Sequence, residues 1–476
     1  MSHTMTFTKT GKTITPTSGV SRVLNYNIGT PQLSATEVLD AYQDGGDVTN
    51  VTRRNVSESV ELILRPTGSN DMSEVETFIQ DLEVMFLEAE RYQKDNGGAQ
   101  WFVNFTPQDT TGTWRSEILA GSVHVPQESV RDWAIGDNAI IYVSLVRRFY
   151  WEGALTELEI YNPASSTPAT GGKGITNQLD SGNSYYHYVD CDSEDIDTII
   201  PTPIRLELTS SYSGGRIYDI HVGQLIFSPN RDNLTYVYEA EDASANGSPG
   251  TLNNTEWSGG TAEQYLNVTQ YTYASFMWKW ELTSTPLIAA AGRRYKILAK
   301  VETATSPNTG FHAKVEIWLP YSAFLNKIAE TGEVYLADSD GFVDMGTLVL
   351  PPWLPNEADY YPLGLGFTFA DFEEIGTKDF TLDALYVMPA DHYRFLDCYS
   401  YGIENGERIV DDGITGRTFV DGWTANTDGV LGYYTGIGEP LMLWPGKDQR
   451  FVIISDSHVL ATSTVRIYYR PRRLTV

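Results

Sequence analysis

Asp71–Asn96, DMSEVETFIQDLEVMFLEAERYQKDN, is the stretch whose reading decides how the first part of this chain folds. Val75, Phe78, Ile79, Leu82, Met85, Phe86, Ala89 and Tyr92 recur at helical spacing and share one face of a 3.6-residue helix. Val84 and Leu87 fall outside that stripe and broaden it in the middle, while Glu74, Glu76, Asp81, Glu83, Glu88, Glu90, Arg91 and Lys94 solvate the rest. Asp71 followed by Glu74 has the form of a capping box, with acids in the electropositive first turn. Arg91, Lys94 and then Asn96-Gly97-Gly98 make the matching stop. On either side, Ser59–Arg65 and Gln100–Phe105 alternate as strands. The expectation is one amphipathic helix laid on a sheet in a chain that is otherwise β.

Length and composition agree with a multidomain β protein. A chain of 476 residues exceeds one ordinary core, and 29 Tyr with 41 Gly suit sandwiches with many tight turns. The net charge of −29 argues against sequence-specific binding of nucleic acid; it suits solubility, or a wall that DNA passes without sticking. Cys191 and Cys398 form no disulfide framework and no zinc motif, and leave one long-range bridge as an open alternative. The first residues lack the basic and apolar regions of a signal peptide, and no run of 18 apolar residues spans a membrane.

In chain order, residues 1–155 read as an α+β domain ending in the long β-branched strand Ala139–Trp151. Residues 156–235 form a β-rich second segment in which Thr202–Thr209 and Arg216–Gly223 are expected to pair as a hairpin. Residues 236–391 read as an independent sandwich, and residues 392–476 as a closing β segment with a basic cluster at Arg466, Arg470, Arg472 and Arg473. That cluster is either a solvated strand end or a dock for an acidic neighbour.

The chemistry is concentrated in the third segment. In a strand, Glu239 and Glu241 project to one face and offer hard oxygen ligands, with Asp383 as a third carboxylate. Trp257, Tyr271, Tyr273, Trp278, Trp280, Trp318 and Trp353 are candidates for a stacking surface, Trp278 and Trp280 being the most core-like because they share one strand face. Asp338–Asp344 opens like a calcium loop but lacks the later glutamate, and reads as a turn. There is no GxSxG, HExxH, P-loop or GxGxxG, and the seven His are scattered, so the sequence points away from catalysis.

Tyr238–Asp242, Thr381–Leu385 and the turn at Gly292 resemble carbohydrate-binding modules with a galactose-binding-like jelly roll. The resemblance implies a structural calcium on Glu239, Glu241 and Asp383, and sugar contacts from Trp257, Tyr271, Trp278, Trp318 and Trp353. The strand–helix–strand opening, Trp114–Ile118, Gly438–Gly446 and the strands leading into Arg466–Arg472 resemble distal tail and tail-tip proteins of long-tailed bacteriophages. That resemblance implies a virion structural protein, assembled in the host cytoplasm into a ring of copies of itself, a hexamer, beside other tail proteins. The jelly roll would face outward toward host glycans. A tail-tube subunit with a decoration domain, and a carbohydrate-active enzyme or its binding appendage, are the alternatives.

Overall fold

The computed structural model describes residues 4–475 except 18, 40–45, 68–71, 96, 108–111, 128–137, 163–164, 169–174, 177–185, 211–214, 227–236, 247–248, 254–260, 267–276, 283–292, 305–309, 320–325, 337–339, 350–362, 371–378, 399–400, 422–433 and 456–462. The protein is mainly β, with several antiparallel sheets and one long helix. Among the described residues no helix is long and apolar enough to cross a membrane. The chain divides into two units, one of residues 1–156, 198–200 and 470–476, the other of residues 157–197 and 201–469.

The first unit contains β1 (Thr4–Lys9), β2 (Lys12–Ile14), β3 (Ser21–Asn27), β4 (Leu33–Leu39), β5 (Gly46–Arg53), β6 (Val56–Leu64), α1 (Ser73–Asp95), β7 (Trp101–Thr106), β8 (Trp114–His124) and β9 (Ala139–Arg147). The main sheet runs β2-β1-β7-β8-β9-β6-β3. Strict alternation makes one face of it: Val60, Leu62 and Leu64 of β6 and Ile141, Val143 and Leu145 of β9 are buried, and Ser59, Tyr142 and Ser144 are exposed. Helix α1 lays Val75, Ile79, Leu82, Met85, Phe86 and Ala89 on that apolar face. Val84 and Leu87 do not join it; they stay 45% and 57% exposed, so the broadening of the stripe adds nothing to the core. Asp71 lies outside the described residues, while Glu74 takes the amide and hydroxyl of Thr67. Gly121 of β8 sits beneath the helix, where a Cβ would fall 2.2 Å from the Phe86 ring and 2.6 Å from the Ser144 carbonyl.

In the second unit, the strands used below are β10 (Tyr186–Cys191), β11 (Thr202–Thr209), β12 (Asp219–Ile226), β13 (Val237–Glu239), β14 (Thr261–Tyr265), β15 (Trp278–Leu282), β16 (Arg294–Ala304), β17 (Phe311–Leu319), β18 (Asn326–Glu330), β19 (Asp340–Val349), β20 (Leu363–Ala370), β21 (Asp379–Pro389), β22 (His392–Asp397), β23 (Arg408–Asp412), β24 (Arg417–Asp421), β25 (Gln449–Ser455) and β26 (Thr464–Tyr469). Segments 156–235 and 392–476 interleave. One sheet contains β26-β11-β23-β24, the other β10-β25-β12-β22, and the two enclose Ile204, Leu206, Ile220, Val222, Ile453 and Ile467. The expected hairpin of Thr202–Thr209 with Arg216–Gly223 is therefore not made. β11 pairs with β23 and β26, β12 pairs with β22 and β25, and β11 and β12 face each other across the core. Cys191 and Cys398 are both buried in this core as free thiols.

The third segment forms a second sandwich inserted between β12 and β22. Its sheets, β14-β21-β16-β19 and β15-β20-β17-β18, enclose Trp278, Trp280, Phe311, Phe367, Phe369 and Phe380. Leu298, Ala384, Tyr386 and Met388 on the insert's outer face meet Val452 and Ile454 of β25, which makes a seam between the two sandwiches. Gly223 permits this approach, because a Cβ there would fall 2.3 Å from the Pro389 carbonyl.

Candidate functional site

The three carboxylates proposed as calcium ligands occupy three different settings. β13 ends at Glu239, and Ala240–Asp242 coils into a single 3₁₀ turn. The strand geometry expected to put Glu239 and Glu241 on one face is thus absent; Glu241 is exposed and accepts the Thr261 hydroxyl. Asp383 is the extra residue of a β-bulge, between the Val301–Leu382 and Lys300–Ala384 pairs, and is fully buried with the Lys300 ammonium 3.6 Å from its carboxylate. Among the described residues no three His, Cys, Asp or Glu side chains gather closely enough to hold a metal ion. In the Asp338–Asp344 motif, residues 338 and 339 lie outside the described residues, and Asp344 pairs with Lys296 at 2.5 Å and accepts the Gly346 amide.

Of the proposed sugar-stacking aromatics, Trp257, Tyr271, Tyr273 and Trp353 lie outside the described residues. Trp278 has no exposed surface, which corrects its place in a stacking platform. Its ring packs against Phe367, Phe369 and Phe380, and its Nε1 donates to Glu263 at 2.6 Å. Burial raises the Glu263 carboxyl pKa and Glu241 adds to the rise, against that hydrogen bond. Trp280 is core as well, donating to the Glu239 carbonyl at 2.7 Å. The inward-facing positions of β15 hold large indoles because both of their N–H groups find acceptors. Trp318 is half-buried on the opposite, outward face of β17. Its Nε1 donates to Glu316 at 2.9 Å, which turns the ring back along the strand, and the residues facing Trp318 and Glu316 on β20 are Gly364 and Gly366. Lys314 holds the other oxygen of Glu316 at 2.5 Å. Of the sequence-proposed aromatics, Trp318 is the one among the described residues that keeps part of its surface open.

The basic cluster near the end of the chain works within it. Arg472 pairs with Glu152 at 2.9 Å and lies over the Tyr150 ring, Arg473 lies over Trp114, and Arg470 donates to the Gly153 carbonyl. Arg466 is 3.9 Å from Glu157.

Two polar centres escaped the reading of the sequence. In the first unit, Glu58 and Arg147 form an ion pair whose side chains have no exposure, with Arg147 Nε 2.7 Å from Glu58 Oε1 and the guanidinium over Trp151. The Tyr26 hydroxyl donates to the same carboxylate at 2.6 Å; burial, and then the Glu58 charge, raise its pKa strongly. At the root of the insert, Asp391 takes the Ile226 amide at 2.8 Å and the Arg293 guanidinium at 2.6 Å. A groove of about 560 Å³ in the first unit is lined by Ser57, Ser59, Ser122, Ser144, Glu58 and Glu90 among others, with no His, Cys or Lys among its described lining residues.

β4 and β5 pair only with each other among the described residues, as a two-stranded ribbon continuing from β3 and β6.

No family model and no curated protein matches the chain. Among solved structures, it is similar to the Dit (gp 19.1) protein of phage SPP1, described as a paradigm of the hub adsorption apparatus in phages that infect Gram-positive hosts; the match covers 99% of this chain and 100% of that one, at 8% identity and a TM-score of 0.32. A chain of the phage p2 baseplate in its activated conformation is similar over 80% of this chain and 98% of its own, at 9% identity and a TM-score of 0.26. An exo-β-1,3-galactanase from Phanerochaete chrysosporium is similar over 81% and 100%, at 11% identity and a TM-score of 0.20. Likenesses this distant carry no argument about function.

Proposed function

We propose that the chain is a structural component of a long-tailed phage tail, of the distal-tail or tail-tip kind, that assembles with copies of itself and with other tail proteins. The sequence resemblance at both ends supports the class. The β4–β5 ribbon is the observation that carries the assembly. A two-stranded ribbon is marginal in water by itself, and its outer backbone edges are templates for further strands. A second copy supplies such strands without any new element. In this reading the helix α1 braces the sheet from which the ribbon grows, and a ring of copies, six on the resemblance, is the closed form that repetition of one contact favours. The inserted sandwich faces outward, with Trp318 as its stacking residue for host-surface glycans.

The test is the mass of the purified protein in solution by light scattering, with electron microscopy of any assembly. A discrete ring-sized species that collapses to monomer when residues 33–53 are replaced by a short turn is the expected result. A full-length protein that stays monomeric across the accessible concentration range counts against self-assembly. For the outward sandwich, binding on a glycan array that is lost in Trp318→Ala is expected, and an array without binding removes that role.

A further inference from the structure

The seam between the two sandwiches of the second unit contains a titratable group that neither core needs. His221 lies on the face of β12 turned toward the insert and is 6% exposed. Its ring stacks on Phe395 at 4.6 Å between centroids with the planes 11° apart, and meets the edge of Phe342 from β19 at 6.3 Å. Nδ1 is 2.7 Å from the Tyr393 hydroxyl. We propose that this seam is an acid-operated latch, in which protonation of His221 releases the inserted sandwich from its host sandwich while both keep their own cores.

Burial, rather than charge, favours a neutral imidazole in the closed state. Lys296 of β16 opposes a second positive charge, while Asp344 of β19, which attracts one, is committed to Lys296 at 2.5 Å. On the same face of the host sheet, Asp219 stands opposite Asp397, and burial together with that like charge raises the Asp219 pKa. Arg450 of β25 is held by Asp190 of β10 at 2.7 Å, over the Tyr188 ring. From the insert, Tyr386 adds an aromatic side chain and no charge at ordinary pH. Burial takes the His221 pKa down to about 4; Asp344 opposes it, and Lys296 adds to it by less than Asp344 takes away. An imidazolium formed there is cut off from water and has an ammonium nearby. Lifting the insert lets water reach it.

The packing decides which contact yields. Among the described residues each sandwich core encloses more than twenty buried apolar side chains, whereas six such side chains are buried in the seam. The insert joins its host through β12 and β22, and among the described residues no strand of one sandwich pairs with a strand of the other, so the faces can part without breaking a strand pair. Asp219 acts in the opposite sense, since its protonation relieves repulsion at the seam, and variants at His221 separate the two effects.

The experiment is small-angle X-ray scattering on the full chain from pH 7.5 to pH 4.5, with far-UV circular dichroism on the same samples. The closed-to-open ratio is expected to fall by about 70-fold between pH 7.5 and pH 4.5, seen as a rise in radius of gyration at unchanged circular dichroism. His221→Phe is expected to stay compact through the range. Lys296→Met, which leaves Asp344 to receive the imidazolium, is expected to move the opening to lower pH and guards against a His221 variant that misfolds. Equal expansion in the wild type and His221→Phe overturns the proposal. So does a wild type that stays compact at pH 4.5, or expansion accompanied by loss of β structure.

Discussion

Replacing Arg147 by Met tests how the first unit's sheet holds a charge in its interior. Glu58 and Arg147 occupy inward positions of β6 and β9, and neither side chain is exposed. Met fills the space of the arginine stem but leaves Glu58 charged, with only the Tyr26 hydroxyl and the Gly29 amide as donors among the contacts described. An uncompensated buried carboxylate costs about 3–5 kcal/mol. The lost contact of the guanidinium with Trp151 belongs to the same order. For a unit of roughly 160 residues, each kcal/mol moves the midpoint by about 2–4 °C, so its transition should fall by about 6–20 °C. In the double variant Glu58→Gln/Arg147→Met the amide oxygen can still accept from Gly29 N–H while the amide nitrogen donates to the Tyr26 hydroxyl, with no charge left buried. This variant should recover more than half of the loss. Because a chain of two units need not melt in one step, calorimetry should be paired with hydrogen exchange at β6 and β9. A single variant costing under about 1 kcal/mol, or a double variant as unstable as the sum of its singles, would show that water reaches the pair and refute the reasoning.

Trp278→Ala is expected to cost the inserted sandwich about 3–5 kcal/mol, through the cavity it leaves and the hydrogen bond Glu263 loses, and thermal scans should show the transition of that sandwich moving most. Gly121→Ala forces a methyl group between the Phe86 ring and the Ser144 carbonyl; a loss of at least about 1–3 kcal/mol should appear in denaturant unfolding of the first unit, and Phe86→Leu should relieve part of it. For His221, a folded pKa of about 4 against an ordinary 6.5 means that the folded state binds fewer protons between these values. Its contribution to the seam is fully present above pH 6.5 and falls by about 3 kcal/mol by pH 4, so urea midpoints of the wild type and His221→Phe should diverge across that window.

The helix and the sheet beneath it were legible because their periodicities are unambiguous: one face of α1 and every second residue of β6 and β9 are apolar. The Glu58–Arg147 pair was not legible: each breaks an otherwise apolar alternation, but a lone charge in one strand does not identify its partner in another. The strands of the interleaved sandwich could be read singly, whereas the association of β11 with β26 across more than 250 residues left no local trace. Periodicity marked Trp278 and Trp280 as core, and burial agrees. The bulge at Asp383 and the 3₁₀ turn after Glu239 defeated the argument for clustered carboxylates, because a two-residue period holds only while the strand continues. Val84 and Leu87 show the opposite failure, apolar side chains with no core to enter in this chain.

The route of the chain through the second unit makes its two halves unequal under truncation. β25 lies between β10 and β12, and β26 lies beside β11, so a chain ending at Asp391 lacks a central strand of one host sheet and a neighbour of β11 in the other. Such a fragment should fail to fold its host sandwich. The insert, in contrast, occupies the place of a hairpin turn. Gln224 pairs with His392, the Asp391 amide reaches the Gln224 carbonyl at 3.1 Å, and continued register puts Ile226 opposite Ala390. Replacing residues 227–389 by Asn-Gly therefore closes β12 onto β22 with a two-residue turn suited to the strand twist. It also uncovers Val452 and Ile454, an apolar patch that should make the shortened protein associate. Adding Val452→Thr and Ile454→Thr keeps the β-branching and removes the patch, and this version should be soluble, rich in β structure and cooperative in its melting. If it unfolds nonetheless, the insert is part of the folding unit of its host, and the separation of seam from core on which the latch depends is lost with it.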